Sequence, residues 1–126
     1  MDHAESHPIL VLSANWQTRA LLAAQIGETT GREVVSAPAV NEALALIRMA
    51  GIEPALVIVD TSQQVAREEV ERLMDAVPDA PFVLGASALR RTEFDPLVSR
   101  CAAYLIRPVS VGQIAQAAAH ILQSRP

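Results

Sequence analysis

Five short apolar runs set the architecture: "PILVL" (8–12), "REVVSA" (32–37), "ALVIVD" (55–60), "PFVLGA" (81–86) and "AAYLI" (102–106). The first, third and fourth are almost continuously apolar, the pattern of strands buried on both faces of a parallel sheet. The second carries Arg32, Glu33 and Ser36, which places it nearer the sheet edge. The runs recur at the spacing of a strand, a short loop and a helix, so each strand is followed by a crossover. Such a rhythm in a chain of 126 residues predicts one α/β domain, a doubly wound sandwich with a five-stranded parallel sheet.

The segments between the runs have the periodicity and ends of helices. Asn15 is a candidate N-cap for "WQTRALLAAQI", with Gly27 as the expected stop. Val40, Leu44 and Ile47 share one face of a second helix ending at Gly51. Val70, Leu73, Met74 and Val77 form the apolar side of a charged third helix. Pro96 makes the fourth, "SALRRTEFDPLVSR", short or broken. Ile114, Ala118 and Ile121 line the fifth, where His120 is expected to face solvent. Residues 1–7 read as an N-terminal tail, 8–123 as the domain and 124–126 as a C-terminal tail. His3 and His7 fall in the first of these and do not make a metal site.

Composition removes several functions. A net charge of −4 with scattered basic residues, the one adjacent pair being Arg90-Arg91, argues against nucleic-acid binding. Aromatic residues are 3% of the chain, leaving little ring area to stack on a base or flavin. No apolar run reaches the roughly 18 residues that span a bilayer, and the first residues lack a signal-peptide pattern, so a cytoplasmic location is expected. The single cysteine, Cys101, rules out an internal disulfide and reads as a small core residue.

In a doubly wound sheet the site lies beyond the carboxyl ends of the strands. Ser13, Ala14 and Asn15 follow the first strand, Asp60 ends the third, Ala86 and Ser87 follow the fourth, and Arg107-Pro108 follow the fifth. "LSANWQ" has no glycine for a pyrophosphate, and the chain has no zinc cluster and no nucleophile elbow, so no enzyme activity is expected. Asp60 at the end of "ALVIV" faces a cation or a water-filled cleft, because an unpartnered buried carboxylate is costly, or else merely caps a loop amide. Trp16 is placed either to lid this corner or to pack at the start of the first helix.

From Pro8 to Leu122 the chain resembles the receiver domain of bacterial response regulators, in the atypical form called a pseudo-receiver. The likeness is carried by "NEALALIRMAGIEPALVIVD", by "CAAYLIRPVS" and by Arg19 in "NWQTR". It implies a flavodoxin-like (βα)5 fold with strand order 2-1-3-4-5. It also makes Asp60 the candidate phosphoacceptor, Arg107 the counterpart of the phosphate-pairing lysine, and Pro108 a cis-proline candidate. Tyr104 falls on the aromatic switch position, and the switch hydroxyl falls on Ala86, or on Ser87 in a register shifted by one. The two magnesium-holding acids fall on Ser13 and Ala14, with Asn15 beside them, so the acidic pocket is degenerate.

That departure changes the electrostatics. Where the family sets three carboxylates against one lysine, Asp60 and Arg107 alone sum to zero. Removing two unit charges at about 4 Å costs a divalent ion several kcal/mol of attraction each, even at an effective dielectric of about 20. Arg107 is therefore expected to pair with Asp60, directly or through one water, in place of the metal. No cofactor is expected, or weak magnesium at most. The function implied is a receiver-like signalling module working through protein contacts with a histidine kinase, an output domain or a second copy of itself. The expected surface is the fourth helix, fifth strand and fifth helix, with no nucleic acid or membrane involved. The alternative is a phosphorylatable receiver that accepts phosphate on Asp60 from a histidine kinase, helped by Ser13 or Asn15 oxygens.

Overall fold

A computed structural model describes residues 7–61, 65–106 and 109–124, apart from the side chains of Ala88 and Arg91. Five strands, β1 (Ile9–Leu12), β2 (Val34–Ala37), β3 (Leu56–Asp60), β4 (Phe82–Ala86) and β5 (Ala103–Ile106), alternate with helices. All the strands pair in parallel, in the order β2-β1-β3-β4-β5, the expected doubly wound arrangement. The helices are α1 (Trp16–Thr30), α2 (Val40–Met49), α3 (Arg67–Ala76), α4 (Arg91–Phe94) and α5 (Val111–Gln123). Each strand agrees with its apolar run to within two residues. β1, β3 and β4 are buried along their whole length, whereas β2 and β5 at the edges are largely part-exposed.

The sheet divides the core by strand parity, since successive side chains point to opposite faces. Ile9, Val11, Leu56, Ile58 and Val83 pack with Leu22 and Ile26 of α1 and Ile114, Ala118 and Ile121 of α5. On the other side, Leu10, Leu12, Val57, Val59 and Leu84 pack with Val40 and Leu44 of α2, Val70, Leu73 and Met74 of α3, and Phe94 and Leu97. Packing both faces with aliphatic side chains explains why so few aromatic residues suffice.

Helix ends follow local chemistry, with one correction. The Asn15 side chain accepts the Thr18 N–H at 2.9 Å, as expected for an N-cap. Helix α1, however, runs past Gly27 to Thr30. Gly31 ends it instead, at φ 70°, and donates its N–H to the Gly27 carbonyl. Gly27 lies against β2, where an added Cβ would stand 3.6 Å from the Val34 side chain. Ser110 and Gln113 cap α5 reciprocally, at 3.0 and 2.8 Å. The fourth helical segment is broken as Pro96 requires: α4 is a single four-residue turn between 3-10 turns at Ala88–Arg90 and Asp95–Arg100. No helix among the described residues is long and apolar enough to cross a membrane.

Candidate functional site

Parallel register brings the ends of β1 and β3 together. Leu12 lies beside Val59, so the next residue on each strand, Ser13 and Asp60, meet beyond the last paired residues. Both are buried, Ser13 at 0% and Asp60 at 4% exposure. The Ser13 hydroxyl donates to Asp60 Oδ2 at 2.9 Å, a charge-assisted bond to a desolvated carboxylate. Arg19 Nη1 reaches back from α1 to the Ser13 carbonyl at 2.8 Å, which fixes the turn that presents the hydroxyl.

The other expected positions divide between those that the fold gathers and those that it does not. Ala86 closes β4 and is fully buried, and Ser87 follows it, part-exposed. Tyr104 is part-exposed on β5, and its hydroxyl lies 3.4 Å from Asp95 Oδ1, a weak contact within the surface built by α4, its flanking turns and β5. The Asn15 oxygen is engaged by its helix, and Ala14 brings no donor. Trp16 is 68% exposed at the first position of α1, so it neither lids the corner nor packs at the helix start. Arg107 and Pro108 lie outside the described residues, and with them the expected ion pair and the proline geometry.

Other residues shape the site although their sequence context did not mark them. Thr61 directs both its N–H and its hydroxyl to the Gly85 carbonyl, at 2.8 and 2.9 Å, fastening the end of β3 to β4. Arg90 reaches over this corner from the turn after β4 and donates to the carbonyls of Thr61, at 2.8 Å, and Val65. It also bonds Glu93 through Nη2 at 2.9 Å and lies over the Phe94 ring, 5.0 Å from its centroid. The hydrogen bond from Arg90 holds the Glu93 carboxyl below its ordinary value of 4.5. The one available sequence signal was the three-residue spacing of Arg90 and Glu93, which brings them onto one face of a helical turn.

The chemistry that this donor set can support is narrow. Magnesium seeks one or two carboxylates with near-octahedral oxygen geometry. At the end of β1 the fold supplies one hydroxyl, already donating to Asp60, and an alanine. Among the described residues, no three His, Cys, Asp or Glu side chains come together as a metal site. Cys101 is half-buried, with its Sγ 3.2 Å from the Leu97 carbonyl, and burial pushes its thiol up to about 11.

Comparison with known proteins agrees with this architecture. No family model matches the sequence, and no curated protein resembles it at the sequence level. Solved structures do resemble it. The receiver domain of NtrX from Brucella abortus is 20% identical with a TM-score of 0.75, over 93% of this chain and 99% of that one. A response regulator receiver domain protein from Clostridium thermocellum is 16% identical with a TM-score of 0.75, over 93% and 94%. An adenylate cyclase from Rhodopirellula baltica is 18% identical with a TM-score of 0.78, over 92% and 86%. The chain therefore has the CheY-like, flavodoxin-like fold of response-regulator receiver domains.

Proposed function

We propose that this chain is a receiver-like signalling domain that acts through protein contacts and has given up metal-dependent phosphoryl transfer. The observation that carries this reading is the 2.9 Å bond from the Ser13 hydroxyl to Asp60. At the position where the receiver resemblance calls for a metal-holding acid, this chain has a neutral donor that hydrogen-bonds the carboxylate it touches. A buried Asp60 so engaged needs no divalent ion to offset a second and third negative charge. The docking face is the surface formed by α4, β5 and α5. It is supported by the part-exposed edge strand β5 and by two exposed apolar side chains in the turns that flank α4, Leu89 at 98% and Val98 at 42%. A histidine kinase, an output domain or a second copy of the chain is the partner, in a cytoplasmic setting.

Incubation with acetyl phosphate and magnesium, followed by intact mass measurement, tests the proposal. The expected result is an unchanged mass. A phosphate adduct that disappears in Asp60→Asn overturns it in favour of a working phosphoacceptor.

A further inference from the structure

Receiver-type signalling needs a connection between the aspartate corner and the docking face. The positions that the receiver resemblance assigns to that connection are poorly equipped here. Ala86 has no hydroxyl and is fully buried, and the Tyr104 hydroxyl is directed to Asp95 within the face itself. Arg90 spans the gap. Its side chain is three-quarters buried, with 25% exposure. Nη1 holds the carbonyl of Thr61, the residue that follows Asp60, and Nη2 holds that of Val65. Nε and Nη2 both reach Glu93 Oε1, at 3.2 and 2.9 Å. Glu93 Oε2 in turn accepts the N–H of Arg67, the first residue of α3, at 3.4 Å.

The segment that Arg90 anchors has little internal order to oppose it. Between Ala88 and Arg100 it contains one four-residue α-turn, two 3-10 turns and Pro96, and its buried anchors are Phe94 and Leu97. Phe94 lies under the same guanidinium. Moving the end of β3 therefore strains the fork on Arg90, and moving α4 strains the same fork from the other side. A lysine could not replace it, because one ammonium has neither the planar fork nor the reach to serve two carbonyls and a carboxylate together.

We infer that Arg90 is the positioning residue that couples the hydrogen-bonding state of Asp60 to the conformation of α4 and its flanking turns. The use of this coupling in signalling rests on the proposed docking face. The coupling itself does not, and it is measured without partner, metal or phosphate, so either idea can fail alone.

The test is amide hydrogen exchange on the full chain, arranged as a double-mutant cycle, since coupling is shown by non-additivity and not by proximity. Asp60→Asn removes the carboxylate charge, and Ser13→Ala removes the hydrogen bond from Ser13 while leaving the charge. Each is expected to change exchange over residues 91–101 by roughly three- to tenfold in the natural chain. In an Arg90→Lys background, the response to either change should fall below about twofold. Arg90→Lys keeps the positive charge and the packed stem, so it disturbs the fold less than Arg90→Ala. An equal response in both backgrounds overturns the inference, as does the absence of any response in the natural chain.

Discussion

A single hydroxyl decides the character of the candidate site. Ser13 was legible as one of the residues at the end of the first strand, but not as the partner of Asp60. The two lie 47 positions apart, and a serine in a polar turn looks like many others. The signal became readable only with strand order: each residue directly follows the last apolar residue of its run, and β1 pairs with β3 in register. Cys101 was easier, because a small thiol amid apolar neighbours reads as filler. Its raised value, caused chiefly by burial, keeps the thiol protonated at neutral pH, and the thiolate is the reactive form. Alkylation of Cys101 by iodoacetamide at pH 7 to 8 should accordingly run well below the rate of a free cysteine. Its rate should keep rising until the pH approaches about 11.

Elements were read well where pattern and caps agreed. Asn15 and the apolar faces of α2, α3 and α5 stand where periodicity placed them. The end of α1 was not, because two glycines four residues apart offered equivalent stops. Backbone geometry distinguishes them: Gly31 adopts positive φ and Gly27 remains helical. Gly31→Ala should therefore cost about 1 kcal/mol in urea denaturation, from backbone strain alone. No atom crowds the new methyl group there. At Gly27 a methyl group meets ordinary contacts, and Ala is the better helix former. Gly27→Ala should leave stability unchanged or raise it.

One carboxyl of the α4 region, that of Glu93, carries a pH dependence. The Glu93 carboxyl is held down by Arg90, so its contribution is present above the ordinary value of 4.5 and is lost as pH falls through the folded value below that. The stability gap between the natural chain and Glu93→Gln should be open at neutral pH and close on acidification, as followed by denaturation at several pH values.

At the scale of the molecule, the fold was legible because its rule is global: five apolar runs at even spacing admit few arrangements. What escaped was the network around Arg90, whose partners come from the end of β3, the start of α3 and α4. No local pattern announces a guanidinium that bonds backbone carbonyls. The two-sided core has its own consequence. Ile26 and Leu73 are fully buried on opposite sides of the sheet. Ile26→Val should cost about 1 kcal/mol and Leu73→Ala about 3 kcal/mol in urea unfolding. Separated by the sheet, the two should add to within about 0.5 kcal/mol.

Trp16 is the sole indole in the chain, and it stands in water one residue beyond Asn15, at the same strand end as Asp60. The protein thus carries a built-in fluorophore at the start of α1, three residues along the chain from Ser13. Any body settling over the start of α1 would dehydrate the ring and move its emission to shorter wavelength. Libraries of small molecules or peptides can therefore be screened against the unlabelled chain by light alone.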